Sequence, residues 1–201
     1  MSTHDEYEFE VAYWGNCCNT FDEDQKHYVY GSLMGLRQSH YSFQLDNIKV
    51  MDIGGGPSSM LLKCKGLLSG LVVDPIKYPQ WTRDRYFSMG IDVLQDIGEN
   101  IPNIMETYDE VWIYNCMQHA VDPEKIIANA RRVAPVLRIF EWIDIPAHDG
   151  HPHELTEESL NKWIGGKGAT ISLGQQGCYG RAYYGIFEHE DPDLRFGTHY
   201  H

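Results

Sequence analysis

No apolar run in this 201-residue chain approaches the roughly 18 residues that a membrane-spanning helix needs. The opening MSTHDEYEFE has neither the basic start nor the apolar centre of a secretory signal, so the expected compartment is the cytoplasm. Positive charge is also scarce. Sixteen Lys and Arg stand against twenty-nine Asp and Glu, a formal charge of −13. Such a surface repels phosphate backbones, which argues against nucleic acid as a partner. Cysteine is sparse and odd in number: Cys17, Cys18, Cys64, Cys116 and Cys178 match no zinc spacing. Adjacent Cys17 and Cys18 make a poor mutual disulfide, and all five read as reduced thiols. There is no internal repeat and no Pro/Gly/Ser linker, so the chain is expected to be one domain.

What is present is an alternation of apolar runs and amphipathic stretches, which predicts an α/β fold. A helix is expected over 21–36, with Thr20 as its N-cap. The first strand, Lys49 to Ile53, runs into the turn GGGPSS, and a helix is expected from about Ser58 to Lys65. A second strand, Gly70 to Val73, ends at Asp74-Pro75. Further elements follow: a helix near 81–89, strands near 91–94 and 108–114, and a helix from Pro123 to Val133 behind the cap Asp122. VLRIFEWIDI reads as a strand and HELTEESLNKWIGG as a helix closed by glycines. ATISLGQ and RAYYGIFEH read as two late strands.

The sharpest chemical signal is VMDIGGGPSSMLL. Asp52 ends a buried strand, and Gly54, Gly55 and Gly56 follow at the edge where open parallel sheets bind ligands. Glycine lets a ligand approach the backbone closely. Twenty residues after Gly54, Asp74 ends the next strand, where a carboxylate can accept from both hydroxyls of a ribose. The order points to a nucleoside-containing ligand. A dinucleotide site wants a third glycine where this chain has Ser59, and Asp52 would sit badly beside a pyrophosphate. The same charge suits the cationic amino end of an aminoacyl ligand.

On these residues the chain resembles the class I S-adenosylmethionine-dependent methyltransferases. The family's acid-x-G-x-G motif matches Asp52 to Gly56, and its ribose acid matches Asp74 in LVVDP. Its adenine-contacting stretch is similar to DVLQDIGENIP, with Asp96 in the matching place. Its fourth-strand motif is similar to YDEVWIYNCMQHAVDP, which puts Asn115, Gln118 and His119 in the pocket. The resemblance spans Val50 to Phe187. It implies a three-layer sandwich around a Rossmann-like, mostly parallel seven-stranded sheet with an antiparallel last strand. It also implies S-adenosylmethionine as cofactor and methyl transfer to a small or medium-sized acceptor, at O or N. The rival readings are a non-catalytic S-adenosylmethionine-binding partner subunit, or another Rossmann-type transferase.

An acceptor hydroxyl benefits from a general base, and His119, His151, His153 and Glu154 are the candidates, with Asp144 behind them. The loop that carries most of them, EWIDIPAHDGHPHELTEE, has three open readings: an acceptor-pocket wall, a metal site built on its histidines, or a polar loop. No metal is assigned. Residues 1–45, with Tyr7, Phe9, Tyr13, Trp14 and Phe21, form an aromatic-rich segment read as a helical cap over the active-site mouth. Residues 46–190 are the expected cofactor-binding core and 191–201 a flexible tail. The oligomeric state is not legible.

Overall fold

A computed structural model describes residues 8–103, 106–175 and 177–189; the expected tail and Tyr7 lie outside them. The chain opens with helices α1 (Glu8–Trp14) and α2 (Cys17–Leu33). A short strand β1 (Arg37–Ser39) turns back into the long β2 (Ser42–Ile53). After a 3₁₀ turn, Met60–Lys63, come β3 (Cys64–Val73), α3 (Gln80–Ser88) and β4 (Ile91–Leu94). Then follow β5 (Glu110–Tyr114), α4 (Pro123–Val133), β6 (Val136–Ile143), α5 (Glu157–Ile164), β7 (Ala169–Gln175) and β8 (Cys178–Glu188).

The sheet runs in the order β4-β3-β2-β5-β6-β8-β7, with β1 paired antiparallel to β2. β8 is antiparallel to both of its neighbours, β6 and β7, and the other pairings along this path are parallel. The expected seven-stranded sheet with its antiparallel last strand is therefore present, and β1 adds an eighth strand. Alternation along the strands divides the core into two layers. Val50, Val72, Trp112 and Phe140 face Tyr30 and Met34 of α2 and Tyr86 of α3. Met51, Val73, Ile113 and Ile139 face Ile126, Ile127 and Ala130 of α4 and Leu160 of α5. Among the described residues no helix is long and apolar enough to cross a membrane.

Two expected helices differ. The first runs 17–33 rather than 21–36, because Asn16, not Thr20, caps it: its side chain accepts from the Cys18 amide at 2.9 Å. The second, expected over 58–65, is only the four-residue 3₁₀ turn. The Ser59 amide donates to Tyr86 Oη at 2.7 Å and the Met60 amide to Tyr114 Oη at 3.0 Å, so tertiary partners take donors that a helix start leaves unmade. Cys64 and Lys65 are already paired with Phe43 and Gln44 of β2, so no room remains for further helical turns. The parallel crossover from β2 to β3 is thereby unusually short.

Candidate functional site

The carboxyl ends of β2, β3 and β5 open on one cavity of about 550 Å³. Gly54 and Gly56 line it, as do Asp74, Asn115, Gln118 and His119. At Gly54, φ is +73° and a Cβ would lie 2.5 Å from that of Cys116, so only glycine fits. At Gly56, φ is +63°, but a Cβ would meet nothing nearer than Trp14 at 3.8 Å. Gly56 is buried in the wall, its amide donating to Asp74 and its carbonyl accepting from Tyr86 Oη at 2.7 Å, so a bare backbone with no side chain faces the cavity here. Asp74, buried, accepts from the Gly56 amide at 3.0 Å and the Ile76 amide at 2.9 Å. It holds the glycine turn while facing the cavity.

The structure places three expected cofactor residues elsewhere. Asp52 is fully buried and is not among the cavity-lining residues. Its Oδ2 accepts from Ser59 Oγ and, at 2.5 Å, from Tyr114 Oη. Burial pushes its pKa up to about 7 against those two hydrogen bonds. Gly55 is also off the cavity wall; a Cβ there would lie 2.6 Å from the Asp52 carboxylate, so this glycine makes room for the buried acid. Asp96 accepts from the Ile97 amide and from Asn100 Nδ2, each at 2.8 Å, and the residues it orders, Ile97 and Gly98, line the cavity in its stead.

The base candidates divide similarly. His119 and His151 line the cavity, whereas His153 and Glu154 do not. His153 Nε2 lies 3.2 Å from the Val121 carbonyl and Glu154 is exposed. His148 joins the wall: it and His151 form a bridge closed by Asp149-Gly150, their rings 4.4 Å apart. The His151 ring meets His119 edge-on at 4.5 Å. Burial, followed by the charges of His119 and His148, lowers His151 to about 4, so it stays neutral at pH 7. The His119 Nδ1 lies 2.6 Å from the Gly150 carbonyl, which can only accept. That contact fixes the tautomer of the neutral ring and makes Nε2 the basic nitrogen. Asp144 ion-pairs with Arg181 at 2.7 Å, away from the cavity wall. Among the described residues no three His, Cys, Asp or Glu side chains come together as a metal-holding group.

Several wall residues carry no sequence motif. Tyr13 and Trp14 of α1 and Tyr30 of α2 bring the aromatic N-terminal segment to the cavity, and Trp142 of β6 meets them there. Phe21 is exposed and takes no part in the wall. Glu23 of α2 is buried in the wall and accepts from Asn115 Nδ2 at 2.9 Å. Glu141, on β6, is fully buried and does not itself line the cavity. Its Oε1 accepts from the amides of Cys116 and Met117, both at 3.1 Å, so it fixes the turn that carries Gln118 and His119. Burial raises its pKa to about 8. A carboxylate flanked by Phe140 and Trp142 inside the apolar strand VLRIFEWI was the only available signal for it.

No protein-family model and no curated protein matches the chain. Solved structures do. Over 95% of this chain and 92% of the other, it superposes with a TM-score of 0.65 and 13% identity on the 1,6-didemethyltoxoflavin N1-methyltransferase of Burkholderia thailandensis, solved with its substrate and S-adenosylhomocysteine. The N-methyltransferase NodS of Bradyrhizobium japonicum, with S-adenosylhomocysteine, gives a TM-score of 0.65 at 11% identity, over 92% and 99%. A Haloferax volcanii putative methyltransferase, in complex with the Trm112 activator, gives 0.63 at 13%, over 94% and 100%. The fold is that of the class I methyltransferases. Where a helix was expected over 58–65, the glycine turn leads into a 3₁₀ turn.

Proposed function

We propose that the chain is an S-adenosylmethionine-dependent methyltransferase acting on a small or medium-sized acceptor at O or N. The observation that carries this reading is convergence. Gly54 and Gly56 of the glycine turn, the Asp74 carboxylate and the segment Asn115–His119 share one cavity. The short crossover supports the choice of ligand. A pyrophosphate is stabilised by a helix N-terminus at this turn, and the turn here has none, whereas a nucleoside joined to an amino acid carries no phosphate.

The residues fit such a donor. Asp74 presents to the cavity a carboxylate, a group that can accept from ribose hydroxyls. Ile97 and Gly98 offer a wall for a base ring. When bound, the donor supplies a methyl group already activated by its sulfonium. Tyr13, Trp14, Tyr30 and Trp142 exclude water and hold the acceptor, so the chain acts chiefly through orientation. His119 Nε2 takes the acceptor's proton where it has one. A small acceptor is supported by the cavity volume, which leaves space for a compact molecule beside the donor. It is supported too by the acceptors named for the neighbours, a toxoflavin precursor and magnesium protoporphyrin IX. The −13 charge weighs against a polynucleotide.

The test is donor affinity in Asp74→Ala, with Asp74→Asn as a shape-preserving partner. Loss of a charged acceptor for the ribose is expected to weaken S-adenosylhomocysteine binding about 10- to 30-fold. Binding unaltered in both variants would place the nucleoside elsewhere and contradict the reading.

A further inference from the structure

If the cavity takes the methyl donor, as proposed above, the donor's charged amino-acid end needs partners. Asp52 cannot serve, since its carboxylate is turned under the glycine loop onto Ser59 and Tyr114. Asp74 and Glu99 line the cavity, but each already holds two backbone amides: Gly56 and Ile76 for the first, Val121 and Asp122 for the second. The first is assigned above to the ribose, and the second is tied to the start of α4.

We infer that Glu23 and Lys26, neighbours across one turn of α2, form a clamp for the zwitterion of the donor, Glu23 taking its α-ammonium and Lys26 its α-carboxylate. Both side chains line the cavity, and Lys26 is the one lysine or arginine among the described residues that do so. Among the described residues of the wall, no other Lys or Arg is there to meet a buried α-carboxylate. The clamp is anchored where the donor's sulfur end must lie. Glu23 bonds Asn115, and the next residue, Cys116, packs against Gly54 of the turn. Both groups retain hydrogen-bonding capacity. Lys26 Nζ has three donors and lies 2.6 Å from Asp22 and 3.5 Å from Glu23. Glu23 accepts from Asn115 at 2.9 Å and lies 3.5 Å from Lys26 Nζ, yet burial outweighs these partners and raises its pKa, so a ligand ammonium would relieve an acid held in a poorly solvated wall.

The clamp sets donor specificity. A donor lacking the carboxylate, the kind used for aminopropyl transfer, forfeits Lys26. A nucleoside thioether lacking the whole amino acid forfeits both. The sequence pattern alone does not show this, because an i,i+3 Glu-Lys pair on a helix is ordinarily a solvated ion pair.

The experiment is calorimetric titration of wild type, Lys26→Met, Lys26→Arg and Glu23→Gln with three ligands: S-adenosylhomocysteine, decarboxylated S-adenosylmethionine and 5′-methylthioadenosine. Lys26→Met is expected to weaken S-adenosylhomocysteine about 10-fold or more, as loss of a charged hydrogen bond does, and to leave the other two ligands within about twofold. Lys26→Arg should restore most of the loss. Glu23→Gln should weaken both ligands that carry an ammonium and spare methylthioadenosine. Unchanged S-adenosylhomocysteine affinity in Lys26→Met, or an equal fall for all three ligands, overturns the clamp. Wild type that binds none of the three overturns the methyl-donor reading itself, a separate and recognisable failure.

Discussion

His119→Asn will lower methyl transfer to a hydroxyl or protonated-amine acceptor by about 10²- to 10⁴-fold, the usual contribution of a positioned general base, while donor affinity stays near that of wild type. The argument is geometric. His119 follows the fixed turn after β5, lines the cavity, and has its Nδ1 proton directed to the Gly150 carbonyl at 2.6 Å, which leaves Nε2 as base. The other three candidates should matter far less. His151, held near 4, is too weak a base at neutral pH, so His151→Asn should cost turnover only through the packing of the His119 ring. His153→Asn and Glu154→Gln alter side chains outside the cavity wall and should leave turnover within about twofold, as surface changes usually do. Steady-state kinetics on the four variants, with donor binding measured separately, decides the matter. Equal losses in His119 and His153 variants would contradict the assignment.

The second expected result concerns folding. Stability should fall by about 2–3 kcal/mol between pH 6.5 and pH 8.5. Asp52 and Glu141 are buried acids whose folded pKa values, about 7 and about 8, lie above the ordinary 3.8 and 4.5. In the unfolded chain both are ionised throughout this interval, whereas the folded protein still holds their protons at its lower end. The folded state therefore binds more protons, and stability declines with rising pH by about 1.4 kcal/mol per unit and group until each folded pKa is passed. Below pH 6.5 the decline is opposed. His27 and His151 are both held neutral by burial, and they lose stability as the pH drops under the ordinary histidine value of 6.5. The two sets nearly balance there and cease to balance above it. Urea unfolding at pH 6.5 and 8.5 measures the difference. Glu141→Gln, which can still accept from the Cys116 and Met117 amides, should reduce the fall to less than about 1 kcal/mol. A flat profile in the wild type would show that these acids are solvated in the folded state.

Much of the frame was legible from residue order. The glycine turn, Asp74 at the next strand end, the Asp122-Pro123 helix start and the closing strands depend on local patterns that packing did not override. The helix expected over 58–65 was not so protected. Its apolar stretch MLLKC suits a helix, but the hydroxyls of Tyr86 and Tyr114 reach the Ser59 and Met60 amides from distant elements. Strand β1 escaped notice because its two-residue turn is His40-Tyr41, without the Asn-Gly signal, although His40 adopts φ +54°. In the site, sequence located the acids but not their destinations. Asp52 and Asp96 stand where the motifs put them, yet Ser59, Tyr114 and Asn100, to which the motifs assign no role, draw their carboxylates aside. Tyr13 and Trp14 of α1 belong to the segment expected as a cap, whereas Glu23, Lys26 and Tyr30 of α2 were hidden, since a helix packed over a cavity and a helix docked on a core share one amphipathic pattern.

The central claim, that this cavity is built for a methyl donor and not for a dinucleotide, is tested most directly by calorimetric titration of the wild-type protein with S-adenosylmethionine and, separately, with NADH. The account predicts saturable one-to-one binding of S-adenosylmethionine and none of NADH. Binding of NADH alone, or of neither ligand by folded protein, would contradict it.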